Sequence, residues 1–205
     1  MTSNPGAYST NSAVVRATET IEFVKTTNAR VIAEIGVFKG GTSLEFAKYL
    51  NGTGELHLFD FEDVVTKVRE KLNNMGYHNV IAHANSHKTL DSYNWSIMKL
   101  LQVHKEPIFD YVYIDGSHTW AIDALTFFLI DRLLKPNGYL DFDGSHWIMR
   151  DSVTMNPMSF PPVKTMFTTE QIETAQVTLI IDLLVKRDPK YTEKAAGRIF
   201  QKTSA

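Results

Sequence analysis

The stretch Arg30-Val-Ile-Ala-Glu-Ile-Gly-Val-Phe-Lys-Gly-Gly-Thr-Ser43 constrains the chain more than any other. Val31, Ile32 and Ala33 form the short apolar run of a strand covered on both faces. Gly36, Gly40 and Gly41 then supply a turn in which a ligand can approach the backbone closely. Thr42 and Ser43 are expected to cap the helix that continues as Leu44-Glu-Phe-Ala-Lys-Tyr-Leu50. A strand, a glycine turn and a helix in this order begin an α/β sheet.

The spacing of the glycines narrows the ligand. A dinucleotide fingerprint needs Gly-x-Gly-x-x-Gly, and the third position counted from Gly36 is Phe38. A phosphate-binding P-loop needs a lysine after its last glycine, and position 42 is Thr. Glu34 stands two residues before the first glycine, where a carboxylate repels polyphosphate and suits a ligand with a positive group and free hydroxyls.

The rest of the chain repeats the theme. Asn11 to Thr27 reads as a helix with Val14, Val15, Ala17, Ile21, Phe23 and Val24 broadly on one side, after a flexible lead over residues 1–10. Strands are expected at 55–60, 79–84, 109–115 and 139–143, with helices at 64–75, 92–104 and 120–134 between them. Alternating strands and helices argue for a doubly wound, mostly parallel sheet with helices on both faces. From 144 to 168 the pattern lapses into a proline-rich segment, Met155-Asn-Pro-Met-Ser-Phe-Pro-Pro162, expected to be a substrate-side loop. Val177–Val185 and Arg198–Lys202 read as two closing strands, and the short connection between them favours an antiparallel pair. One domain over 1–205 accounts for all of this; a chain of this length buries roughly 70% of its surface.

Composition removes several classes. The net charge of −2 offers no basic field for nucleic acid or an anionic membrane. No run of about 20 apolar residues is present, so no membrane span is expected. The polar start Met1-Thr-Ser-Asn-Pro-Gly6 does not read as a signal peptide. A chain without cysteine has no thiolate metal site and fits a cytoplasmic protein.

Chemistry concentrates at the strand ends. Asp60 closes the second strand, where an acid can accept hydrogen bonds from both hydroxyls of a ribose, or cap the next helix. Asn85 and Ser86 close the third with polar groups suited to the edge of an adenine. Asp115-Gly-Ser-His118 follows the fourth strand and Asp143-Gly-Ser-His146 the fifth, each followed by a tryptophan, Trp120 and Trp147. Neighbouring strands would bring two carboxylates and two imidazoles to the sheet edge where open parallel sheets bind ligands. Three readings stand side by side. An imidazole can act as general base on an alcohol. The carboxylates can hold a divalent metal that acidifies the alcohol, with histidine completing the shell. Or the Asp residues are caps, the Gly-Ser pairs turns, and the histidines surface groups.

Taken together, Glu34-Ile-Gly-Val-Phe-Lys-Gly-Gly-Thr-Ser43, Phe109-Asp-Tyr-Val-Tyr-Ile-Asp-Gly-Ser-His118 and Leu133-Leu-Lys-Pro-Asn-Gly-Tyr-Leu-Asp-Phe-Asp143 resemble the class I S-adenosylmethionine-dependent methyltransferases, in particular the small-molecule and sugar O-methyltransferases of antibiotic and glycan pathways. The resemblance spans about residues 30–147. It implies a seven-stranded sheet of order 3-2-1-4-5-7-6 with the last strand antiparallel. It implies that Glu34, Gly36, Gly40 and Gly41, with Thr42 and Ser43, line the methionine part of S-adenosylmethionine. Asp60 would hold the ribose, Asn85 and Ser86 would sit near adenine, and Asp115 would lie beside the cofactor. Asp115 and Asp143 match the metal-ligating acids of metal-dependent members, but Gly144 stands where those have a second acid. Either His146 substitutes as a ligand for Mg²⁺ or Mn²⁺, or the protein works without metal. His118 is the first choice of general base, His146 the second, with Asp115 assisting. A sugar or glycan hydroxyl is the expected acceptor and a catechol or phenol the alternative. A nicotinamide-dependent oxidoreductase and a non-catalytic binding domain are the other classes, and a homo-oligomer is compatible with all of them.

Overall fold

The computed structural model describes residues 10–203, so most of the expected N-terminal lead lies outside the described residues. In chain order the elements are α1 (Thr10–Lys25), β1 (Val31–Ile35), α2 (Gly41–Leu50), β2 (Glu55–Phe61), α3 (Glu62–Asn74), β3 (Val80–Asn85), α4 (Tyr93–Val103), β4 (Phe109–Ile114), α5 (Trp120–Leu133) and β5 (Leu134–Phe142). A largely irregular segment with one 3₁₀ turn leads to α6 (Val163–Met166), α7 (Thr169–Glu173) and α8 (Gln176–Ile180), which runs on as a π-helical turn over Ile181–Val185. The hairpin β6 (Tyr191–Ala195) and β7 (Ile199–Lys202) closes the described chain.

The sheet has the order β3-β2-β1-β4-β5-β7-β6. β1 to β5 pair in parallel, and β7 runs antiparallel to both β5 and β6. Alternation along each strand divides the core into two layers. Ile32, Leu56, Leu58, Tyr111 and Tyr113 meet α1, α2 and α3 through Val24, Phe46, Leu50, Val65 and Leu72. Ala33, Ile35, Phe59, Val112, Ile114 and Leu140 meet α4, α5 and α8 through Ile97, Phe127, Ile130, Val177 and Ile180.

Three local expectations are corrected. Val177–Val185 is helical, not a strand. It is rich in β-branched residues, but its buried members Val177, Ile180, Ile181 and Val185 recur at helical spacing, while Leu179 and Leu183 face out. The sixth strand is instead Tyr191-Thr-Glu-Lys-Ala195, an edge strand with only Tyr191 buried, so it carries no hydrophobic signature. Finally, neither expected side-chain cap forms. Gly40 is the N-cap of α2 in left-handed conformation, and Phe61, not Asp60, is the N-cap of α3.

A buried ion pair fastens the C-terminal hairpin to the first helix. Asp141 on β5 is fully buried and accepts from Arg198 Nε at 2.8 Å, Tyr111 Oη at 2.7 Å and Thr20 Oγ1 at 2.8 Å. Arg198 also donates to Glu19 of α1 at 2.8 Å and bonds Thr20. The carboxylate that burial removes from water is thereby given donors, as a buried charge requires.

Candidate active site

The site is built where β1, β2, β4 and β5 end. The parallel ladder continues one step past the strands: Asp115 N donates to Ile35 O and Asp143 N to Ile114 O. Those bonds set Asp115 and Asp143 side by side at the C-terminal edge. The glycine turn after β1 backs directly onto this point. Gly36 has φ +86°, and a Cβ there would lie 1.9 Å from the Asp115 carbonyl oxygen. Only glycine allows the turn to pack so closely on the end of β4. Asp60 tightens the same turn, its Oδ2 accepting from Val37 N at 2.7 Å and Phe38 N at 3.0 Å. Phe38 is held at φ +50° with its ring exposed.

A cleft of about 550 Å³ opens here, lined on one side by Gly36, Phe38, Asp60, Phe61 and Asn85 and on the other by Asp115, His118, Trp147, Thr154 and Met155. Among the residues expected to bind or react, Gly36, Asp60, Asn85, Asp115 and His118 line it. Glu34, Gly40, Gly41, Thr42, Ser43, Ser86, Asp143 and His146 are not in its lining. Glu34 points under α2, where it is 1% exposed and accepts the Ser43 hydroxyl. Burial, aided by the charges of Asp115 and Asp60, pushes the Glu34 carboxyl well above the carboxylate range against the opposing Ser43 bond. Ser86 bonds Asp91 through both its amide and its hydroxyl at 2.7 Å, ordering the loop into α4. Asn85 is only 7% exposed and its Oδ1 has no hydrogen-bond partner among the described residues, so this wall of the cleft presents a buried acceptor in want of a donor.

The paired tetrapeptides converge, but not symmetrically. Asp115, His118 and Asp143 each offer one ligand atom, all within 4.8 Å of one another. His146, expected as the third member, is exposed and is not in that group. Gly144 explains the exchange. At φ +67° its missing Cβ leaves room for the His118 ring, whose atoms a Cβ would meet at 2.7 to 2.9 Å. The imidazole of His118 thus crowds the backbone position where the resemblance places a second acid.

His118 is itself strained, at φ +56°, and held from three sides. Its Nε2 lies 3.0 Å from Asp115 Oδ1. Trp147 meets the ring edge-on at 5.1 Å between centroids. The turn beneath is anchored by Ser117, whose amide donates to Tyr93 Oη at 3.0 Å and whose hydroxyl reaches Asp123 at 3.2 Å and Thr119 at 2.8 Å. Tyr93 in turn donates to Asp123. Burial opposes a charge on His118, but the Asp115 hydrogen bond and the carboxylates of Asp115, Asp123 and Asp143 outweigh it and raise its pKa. Burial raises Asp115 as well; Asp143 adds to this and His118 works against it.

Sequence reading did not single out Phe38, Phe61, Tyr93, Ile122, Thr154 or Asp123 as site residues. One signal for Asp123 was present: an acid in the first turn of the otherwise strongly apolar helix Trp120–Leu133. Of the two tryptophans that follow the tetrapeptides, Trp120 starts α5 and is not in the cleft lining, while Trp147 is.

A family model described as "Methyltransferase domain" matches residues 33–145. No curated protein matches the chain. Among solved structures, an O-methyltransferase from Bacillus cereus in complex with SAH is similar at TM-score 0.61 and 14% identity, over 97% of this chain and 82% of that one. The O-methyltransferase TomG from Streptomyces achromogenes, involved in tomaymycin synthesis and solved with SAM, gives 0.63 and 17% over 97% and 82%. A putative caffeoyl-CoA O-methyltransferase from Staphylococcus aureus gives 0.63 and 14% over 91% and 81%. At these identities the likeness is one of fold.

Proposed function

The chain belongs to the methyltransferase-domain family, a class I S-adenosylmethionine-dependent enzyme by fold and motifs, and from that premise we propose that it methylates a hydroxyl oxygen of a small-molecule acceptor. The observation that carries this reading is the convergence of Asp115, His118 and Asp143, the first two lining a cleft that Phe38, Trp147 and Met155 also wall.

The residues present fit the cofactor. Asn85 Oδ1 is the buried acceptor for an adenine amine, and Asp60 Oδ1, which accepts from Phe61 N, retains a lone pair for a ribose hydroxyl while Oδ2 holds Val37 and Phe38. Glu34, Ser43 and the Gly40-Gly41-Thr42 segment shape the turn from beneath. S-adenosylmethionine supplies the methyl group. The protein's work is to orient the acceptor oxygen and remove its proton. With the His118 Nε2 proton directed to Asp115, Nδ1 is the basic nitrogen of the ring. Two carboxylates and an imidazole also fit a divalent cation such as Mg²⁺ or Mn²⁺. Held by Asp115, Asp143 and His118, it would lower the pKa of the acceptor hydroxyl.

We read the acceptor as a sugar or glycan hydroxyl, since carboxylates and an indole face suit a pyranose ring. The exposed Phe38 and the thioether of Met155 favour a second reading, a flat catechol or phenol. A cytoplasmic location belongs to the same proposal and rests on the cysteine-free composition; among the described residues no helix is long and apolar enough to cross a membrane.

The test is transfer of labelled methyl from S-adenosylmethionine to panels of sugar glycosides and catechols, with Mg²⁺, with Mn²⁺ and with EDTA. Calorimetric binding of S-adenosylhomocysteine is measured alongside. Labelled methyl ether on one panel only identifies the acceptor class. Cofactor binding with no transfer that depends on His118 or Asp115 would sink the catalytic reading in favour of a binding domain.

A further inference from the structure

The layer of helices α4, α5 and α8 ends outward in an apolar surface. α5 is its middle helix, with Phe127, Ile130 and Leu133 turned into the core. Its outward stripe is Ala121, Leu125 and Phe128, the last two about half exposed, with Leu129 beside them and no charged residue on that stripe before Arg132. α4 shows Trp95, 60% exposed, and Met98. Between the two helices runs a groove of about 700 Å³, lined by Trp95, Met98, Ile122, Leu129, Met166 and Phe167. On the other flank, α8 and its continuation expose Leu179 and Leu183. Single exposed apolar residues are ordinary, but a connected surface of this kind marks an interaction site.

We propose that this face docks a second copy of the chain, placing α5 against α5 across a two-fold axis. Three observations select that occupant. The first is size: half-exposed aromatic and aliphatic side chains offer on the order of 100 Å² each, so the residues named approach the roughly 800 Å² per partner of a standard interface. The second is shape. A two-fold contact needs a surface complementary to itself. Here the exposed Phe128 stands beside an apolar groove that Leu125 itself helps to line. The third is charge. Trp, Phe and Met at the centre with Lys99, Arg132 and Asp182 at the margins is the pattern of a protein interface core and rim. Among the described residues of this face there is no cation cluster for nucleic acid or anionic lipid. A net charge of −2 sets little repulsion between copies.

The test is sedimentation velocity of the full chain over a micromolar range. The expected species has the mass of two chains. Leu125→Glu and Phe128→Glu, each checked for an unchanged circular dichroism spectrum, are expected to sediment as one chain. Met75→Glu, on an exposed position of the opposite layer, is expected to leave the dimer intact. A wild-type chain that stays monomeric throughout overturns the proposal. So does a dimer that survives both glutamate variants, or a monomer that floats with phosphatidylcholine–phosphatidylglycerol vesicles, which would assign the face to a lipid surface.

Discussion

Asp115-Gly-Ser-His118 and Asp143-Gly-Ser-His146 are the same tetrapeptide at the ends of neighbouring strands, yet they end as different objects. In the first, the histidine folds back over its own aspartate, at positive φ, into the cleft. In the second, the histidine is exposed and the glycine makes the space that the first histidine fills. The cause lies downstream. The first copy feeds α5, whose Asp123 grips Ser117, so the turn is tied down within a few residues. The second feeds the irregular segment, where the Ser145 carbonyl accepts from Thr178 and Trp147 turns toward His118. A local motif supplies groups; the element it feeds decides which of them reach the chemistry.

The largest separation between the copies is expected from the imidazoles. His118→Ala should lower kcat by about 10²–10⁴-fold, the usual worth of a positioned base, while His146→Ala leaves it within about twofold. Steady-state methyl transfer checks both, and equal losses would erase the asymmetry between the two copies.

Next come two acids on one strand end, Asp141 and Asp143. Asp141→Ala strands Arg198 inside the protein and should cost about 3–5 kcal/mol of stability, read by denaturant unfolding. Asp143→Asn should leave stability close to wild type, because it relieves repulsion with Asp115, but abolish most transfer.

Gly144→Ala is the intermediate case. The left-handed φ and the approach to the His118 ring should together cost about 1–3 kcal/mol and displace the imidazole, so kcat falls more than KM rises. Unchanged kinetics would show that His118 does not work from this position.

The smallest effect sharpens the comparison by pH. His118 has a raised pKa, and a base must be neutral, so without metal kcat should climb as pH passes upward through that value, above 6.5. His83 behaves oppositely. It stacks on Phe59, faces His57 at 2.9 Å, and burial with the neighbouring His57 and His104 lowers it to about 4. His57 is lowered too, by burial, against the pull of Glu55. Groups whose pKa falls on folding lend stability that is complete above the unfolded value, near 6.5, and lost as pH drops toward 4. Melting should therefore weaken by about 1–3 kcal/mol across that window, and His83→Phe should flatten the slope without touching the kcat profile.

β1 and β4 were legible because buried parallel strands write unbroken apolar runs, as in Tyr111-Val-Tyr-Ile114, while β2, β3, β5 and β7 were read from shorter apolar stretches bounded by turn residues. β6 was not, since an edge strand with one buried side chain looks like loop. The two aspartates of the site were legible as strand-end acids. Which histidine joins them was not, because that depends on the space behind Gly144. Nor could Asp141 be paired with Arg198, Thr20 and Tyr111: a lone acid in an apolar run says that a partner exists, not where it lies in the chain.

That last contact bears on how the protein comes off the ribosome. Asp141 is separated from Arg198 by 57 positions. At roughly 5–20 residues per second, the acid is translated some 3–11 s before its counter-charge. Until then β5 cannot bury Asp141 as a matched ion, and α1, made first, has no arginine to receive. The order of synthesis thus makes the seam between the first helix and the last strand a late step, after the parallel strands have all emerged.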